Sequence, residues 1–317
     1  MRMSVDASCV GFMCIQGNCV SVVTLRIPMK LLSLCTGYGG LDLAVEAYFG
    51  AELIGCSDID KASSVAIDTH FKVPNYGDLK NLIGTDLKFD ILTAGYPCQP
   101  FSIAGNRKGT NDKRHIWPFI AQIIGHSRPR IVILENVRGH LSLGFKEVVQ
   151  TLAELGYAVK WSLVRASDVG APHQRARLFI LATTDTNSFG FSLVEQQSRT
   201  QGNQGQSQSE PQHLGQSTSG HTKHFDWSQY RQMPKLERRF ASRLDMSMQK
   251  APDPLVNEKL NTRFVEYMMG LPEGWVTDLP ISRSQQFKLL GNGVVPQQAY
   301  YALQLLCDTP EIGENLA

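Results

Sequence analysis

The 317-residue chain predicts an α/β fold: a doubly wound sheet with a smaller, irregular second region. Three observations lead there. Short apolar runs alternate with stretches of helical period, which implies parallel strands joined by crossover helices. A glycine turn, Gly37-Tyr38-Gly39-Gly40, separates the first apolar run from the first helical stretch. Composition then breaks after Thr183, and residues 196–220 are rich in Gln, Ser, Gly and Thr with almost no aliphatic side chains.

The elements follow in order. Apolar runs at 31–35, 53–56, 89–94, 130–134, 157–164 and 177–183 predict strands. Helical period follows the glycine turn and returns at 63–71, 116–125, 145–155, 263–269 and 299–307. Right-handed crossovers place ligand sites at the carboxyl ends of such strands. Residues 1–28 are apolar but broken by Asp6, Gln16 and Asn18, and they lack a clean apolar core for a signal peptide. The expectation is a poorly ordered extension at 1–28, a core domain at 29–183, a recognition region at 184–262, and a returning segment at 263–317.

Bulk composition narrows the class. Apolar residues make up 42% and charged residues 19%, a globular balance. A net charge of +2 permits a nucleic-acid partner without demanding one, so any such surface needs local clusters of Arg and Lys. The seven cysteines lack paired CxxC spacing, which favours reduced thiols over a disulfide scaffold or metal site. No apolar run reaches the roughly 18 residues of a membrane span, and a cytoplasmic chain is expected.

Four motifs carry chemistry. The glycine turn opens a helix, where unpaired N–H groups and a positive dipole meet a ligand. About 20 residues on, Asp58 follows the second strand, where a carboxylate can accept from both ribose hydroxyls. Asp78 follows Tyr76-Gly77 and could accept from an exocyclic amine; a helix cap is the competing role for either Asp. In Pro97-Cys98-Gln99-Pro100, prolines stiffen a thiol at a strand's carboxyl end, the setting of a nucleophile, although a buried structural Cys would also serve. In Glu135-Asn136-Val137, a carboxylate ends an apolar strand, where burial would let it hold a proton for donation. In Gln174-Arg175-Ala176-Arg177, two guanidinium groups enter a strand two residues apart and should share a face.

Taken in order, these motifs resemble those of the cytosine-5 DNA methyltransferase family, of the bacterial or phage type. Arg263-Phe264-Val265-Glu266-Tyr267-Met268-Met269-Gly270-Leu271-Pro272 and Gly291-Asn292-Gly293-Val294-Val295-Pro296 look like its last two motifs, and the resemblance covers about residues 30–183 and 260–306. It implies a Rossmann-like methyltransferase sheet with a target-recognition domain. It also implies S-adenosylmethionine as methyl donor and duplex DNA as the partner of a monomer. Carried over residue by residue, Cys98 is the nucleophile and Glu135 the proton donor. Arg177 holds the ring carbonyl, and Arg175 supports nearby charge. Cys35, Gly37, Gly39, Gly40, Asp58, Ile59, Asp78, Leu79, Pro97, Asn292 and Val294 would hold the cofactor. Gln99, Ser102, Arg107, Arg114 and Asn136 would face nucleic acid, with residues 102–115 closing over a flipped base. The sequence departs from the family at Ser33, usually acidic, at Cys35, usually Phe, and at Asp58, usually Glu.

Other readings are an RNA cytosine-5 methyltransferase of the same fold, a catalytically dead regulator, and a nicotinamide-dependent oxidoreductase. The intact Cys98, Glu135 and Arg177 disfavour the second, and the incomplete dinucleotide pattern disfavours the third.

Overall fold

The computed structural model describes residues 27–97, 116–184 and 249–307, and the backbone of 10–15 and 18–23. A six-stranded sheet carries the fold: β3 (Lys30–Leu34), β4 (Glu52–Ser57), β5 (Ile91–Ala94), β6 (Ile131–Val137), β7 (Ala158–Val164) and β8 (Arg177–Thr183), in the order β4-β3-β5-β6-β8-β7. Pairings β3–β4, β3–β5 and β5–β6 are parallel. β8 is the exception to the expected parallel pairing, since it runs antiparallel to both β6 and β7. Only the short 3-10 turn Ala166–Val169 lies between β7 and β8, so the chain can reverse without an α-helical crossover.

Alternation along the strands sorts the core onto two faces. Leu31, Ile91 and Ile131 pack with α1 (Gly40–Phe49) and with the terminal helix α7 (Pro296–Cys307). Their neighbours Leu32, Leu92 and Val132 pack on the other face, under α3 (Trp117–Ser127) and α4 (Phe145–Glu154). Helices on both faces explain why these strands are apolar at successive residues.

A third cluster joins the glycine turn to the returning segment. Tyr38 packs with Ala62 and Ala66 of α2 (Lys61–His70), Tyr267 of α5 (Thr262–Met268), and Leu289 and Leu290 of α6 (Arg283–Asn292). Buried Glu266 organises the loop between α5 and α6. Its carboxylate accepts from the backbone N–H groups of Gly274, Val276 and Thr277 and from the Thr277 hydroxyl.

Two boundaries differ from the sequence reading. β6 continues through Val137, because Glu135, Asn136 and Val137 pair with Phe179, Leu178 and Arg177 of β8. In the segment expected to be a poorly ordered extension, β1 (Val10–Ile15) and β2 (Asn18–Val23) pair as an antiparallel hairpin. The valines and isoleucine there favour extended backbone, and only Gln16 and Gly17 separate the strands. Most of the recognition region, 185–248, lies outside the described residues.

Gly293 sits against the Tyr38 ring, and an added Cβ would lie 1.9 Å from a ring carbon. That ring is fully buried, and its hydroxyl donates to the Val294 carbonyl at 2.8 Å, so it cannot step aside cheaply. Gly293→Ala should therefore lower stability by at least about 1–3 kcal/mol, read as a shift in the urea midpoint. In a Tyr38→Ala background the same change should cost much less; additive losses would contradict the contact.

Candidate active site

A cavity of about 590 Å³ opens at the carboxyl ends of β3, β4, β5 and β6. The glycine turn forms one wall. Gly37 has φ +60, and its N–H donates to Asp58 Oδ2 at 2.9 Å, while Asp60 N–H donates to Oδ1 at 2.8 Å. With these donors and the Ser63 side chain bonded to it, the carboxylate still has acceptor capacity for a ligand hydroxyl. Asn75 clamps the backbone of Asp58, accepting from its N–H at 3.0 Å and donating to its carbonyl at 3.1 Å. Burial raises the Asp58 carboxyl above its ordinary range.

The other expected cofactor residues divide. Cys35, Gly37, Gly40, Ile59, Asp78, Leu79, Pro97, Asn292 and Val294 line the cavity with Asp58. Ile59 is 79% exposed, an apolar face offered to the open cavity. Asp78 does both jobs weighed for it: it faces the cavity and caps the 3-10 turn Leu79–Leu82 by accepting from Lys80 N–H at 3.0 Å. Gly39 is off the wall, because its α-carbon faces the Phe71 ring, where a Cβ would come within 2.2 Å. The half-buried Cys35 thiol is pushed up to about 12, first by desolvation and then by the charge of Asp58, so it stays protonated.

The carboxylate and arginine motifs meet across the β6–β8 pair. Arg177 Nε lies 2.9 Å from Glu135 Oε1, and both side chains line the cavity. Burial pushes the Glu135 carboxyl from about 4.5 up to about 7, against the opposing pull of Arg177 and Arg175. Gly95 stands beside it, close enough that a Cβ there would lie 3.6 Å from Glu135 Oε2. The segment Gly95-Tyr96-Pro97 that follows β5 therefore carries the chain past Glu135. Asn136 faces the cavity and donates to the Tyr96 carbonyl at 3.2 Å.

Arg175 departs from the expected shared face with Arg177. It precedes β8, with φ +29, and its guanidinium turns to the returning segment. There it donates to the carbonyls of Gly291 and Gly293 at 2.8 and 2.7 Å, so it braces the glycine motif instead of facing the cavity. Cys98, Gln99, Ser102, Arg107 and Arg114, and the closing loop expected at 102–115, lie outside the described residues. The chain leaves them from Pro97 and returns at Ile116, and both of these line the cavity.

Sequence reasoning missed several wall residues. Asp42, in the first turn of α1, is buried and accepts from the Ser33 and Thr93 hydroxyls; burial pushes it up to about 6. It brings a carboxylate to Ser33, the position where an acidic residue was expected. Lys288 of α6 reaches Asp60 across the cavity mouth. Among the described residues, no group of three or more His, Cys, Asp or Glu could hold a metal ion, and no helix is long and apolar enough to cross a membrane.

A family model described as C-5 cytosine-specific DNA methylase matches residues 29–250. The type II methyltransferase M.NgoBI of Neisseria gonorrhoeae is 35% identical over 168 residues, 51% of this chain and 53% of that protein. M.MspI of Moraxella sp is 28% identical over 294 residues, 84% of this chain and 67% of that one. The chain spans about half the length of most curated relatives it matches. Among solved structures, the S. pombe Dnmt2 methyltransferase superposes with a TM-score of 0.55 at 20% identity, covering 88% of this chain and 98% of that one. That likeness concerns the fold.

The Glu135 carboxyl should titrate near pH 7. A raised folded-state value means stability from this group is full below about pH 4.5 and is lost as pH rises through about 7. Glu135→Gln removes the titration. Wild type should thus lose stability relative to Glu135→Gln between pH 5 and 8, measured by urea unfolding. A pH-independent difference would contradict the assignment.

Proposed function

We propose, from the premise that this chain belongs to the C-5 cytosine-specific DNA methylase family, that it transfers a methyl group to carbon 5 of a cytosine in duplex DNA. The observation that carries this reading is the cavity wall where buried Glu135, held by Arg177, meets the chain leading into Cys98.

S-adenosylmethionine is the donor the family implies, and the residues present fit it. The cavity has the size of a small-molecule site. Its walls carry Asp42, Asp58, Asp60 and Asp78, and Lys288 pairs with Asp60, a lining suited to a phosphate-free nucleoside with a positive tail. Asp58 would hold the ribose hydroxyls, Ile59 the face of the adenine, and Asp78 its amine. The glycine turn, Asn292 and Val294 would hold the remainder. When bound, the group supplies a methyl on a sulfonium, whose loss leaves a neutral thioether.

The base must first leave the stacked duplex, at a cost of a few kcal/mol. Cys98, as thiolate, then adds its sulfur to ring carbon 6, and carbon 5 becomes nucleophilic toward the methyl group. Glu135, protonated up to about pH 7, gives its proton to ring nitrogen 3 as charge builds there. Arg177, fixed by Glu135, donates to the ring carbonyl oxygen. A water molecule takes the carbon 5 proton, Cys98 leaves as thiolate by elimination, and ring nitrogen 3 returns its proton to Glu135, so the enzyme is restored.

Gln99, Ser102, Arg107, Arg114 and Asn136 contact the DNA, and residues 184–262 choose the target. The protein acts as a monomer in the cytoplasm of a bacterium, either native to it or encoded by a phage. A restriction-modification role fits the type II relatives.

Bisulfite sequencing of DNA from cells expressing the chain should reveal 5-methylcytosine at one recurring sequence. Cys98→Ser should abolish it while S-adenosylmethionine binding, read by calorimetry, stays within about threefold. Methylation of a tRNA pool with none on DNA would instead favour an RNA substrate. Normal methylation by Cys98→Ser would overturn the covalent route.

A further inference from the structure

Cys98 follows a stretch that the sheet does not hold. The β5–β6 ladder ends at Ala94↔Leu134, whereas β6 runs on to Val137 in partnership with β8 alone. Residues 95–97 therefore need other anchors, and Tyr96 supplies two of them. Its carbonyl accepts from the Asn136 amide at 3.2 Å. Its hydroxyl lies 2.8 Å from His140 Nε2, in the 3-10 turn Arg138–Leu141 that follows β6.

The surroundings make this hydrogen bond directional. Tyr96 and His140 are both buried, and their rings meet edge to face at 5.6 Å. The Trp117 ring closes the other side at 5.9 Å. A Phe would fill the same space with no polar group to satisfy. A buried hydroxyl is costly unless bonded, so the Tyr–His pair contributes aim more than burial. A displacement of about 1 Å in a nucleophile can cost about a hundredfold in rate.

We propose that Tyr96 and His140 are a positioning pair for the Cys98 nucleophile. Their hydrogen bond, with that from Asn136, sets the direction in which the chain leaves β5 beside Glu135. The inference rests on the reading that Cys98 attacks the base. The pair acts through the backbone that leads into Cys98.

The test uses the full chain and the DNA sequence that wild type methylates. Tyr96→Phe removes one oxygen and keeps the ring. It should slow single-turnover methylation by about ten- to a hundredfold, with KM for DNA and S-adenosylmethionine affinity within about twofold. His140→Leu should do the same. His140→Gln, whose amide reaches about as far as Nε2, should recover most of the lost rate. A Tyr96→Phe rate within about twofold of wild type overturns the proposal, even if its melting temperature falls, because the hydroxyl would then serve packing alone. A His140→Gln rate no better than that of a folded His140→Leu overturns it as well. Wild type that methylates neither duplex DNA nor tRNA defeats the functional reading instead, so the two failures are distinguishable.

Discussion

The site depends on one buried ion pair, Glu135 with Arg177. A carboxylate placed without a partner among Ile133, Leu134 and Phe179 would be costly, and burial alone drives its affinity for a proton upward. Arg177 limits that rise, leaving Glu135 near neutrality. The antiparallel β6–β8 register makes the pair possible, since Arg177 pairs with Val137, two residues along from Glu135 and on the same face. Had β8 run parallel, as the simple alternation of elements implied, Arg177 would enter the sheet at its other end. The reversed strand is thus a requirement of the chemistry as well as a feature of the fold.

A second set of contacts closes the cavity from the far end of the sequence. Arg175, two residues before Arg177, holds the carbonyls of Gly291 and Gly293. Tyr38 of the glycine turn donates to Val294, and Trp275 donates to the Tyr38 carbonyl at 3.1 Å while stacking on His70 at 3.9 Å. Gln298 of α7 donates to the carbonyls of Val164 and Arg175, both at 2.8 Å. These are directional bonds between segments more than a hundred residues apart. They bring Asn292 and Val294 to the same cavity as Asp58, so the returning segment completes the pocket that the first strands begin.

Much of this was legible in the sequence. Strands buried on both faces announce themselves as unbroken apolar runs, and their carboxyl ends mark the ligand site. Glu135 and Arg177 could be chosen singly, because a charge at the end of an apolar run needs a reason. Their pairing with each other could not, since it depends on strand direction. Arg175 could not be placed for a related reason: a positive φ before β8 breaks the two-residue alternation and turns its side chain toward the returning segment. Tyr96 and His140 gave no signal, because an aromatic between Gly and Pro and a histidine 44 residues later become partners only through the fold.

The central claim is that the chain leaving this cavity at Pro97 carries a sulfur that bonds to carbon 6 of cytosine. Mass spectrometry of the protein incubated with S-adenosylmethionine and duplex DNA carrying 5-fluorocytosine at the target position tests it most directly. Fluorine cannot leave as the carbon 5 proton does, so the account predicts a denaturation-resistant protein–DNA species, with the mass increment on the peptide that contains Cys98. Methylation of ordinary target DNA with no such species, or with the adduct on another residue, would contradict it.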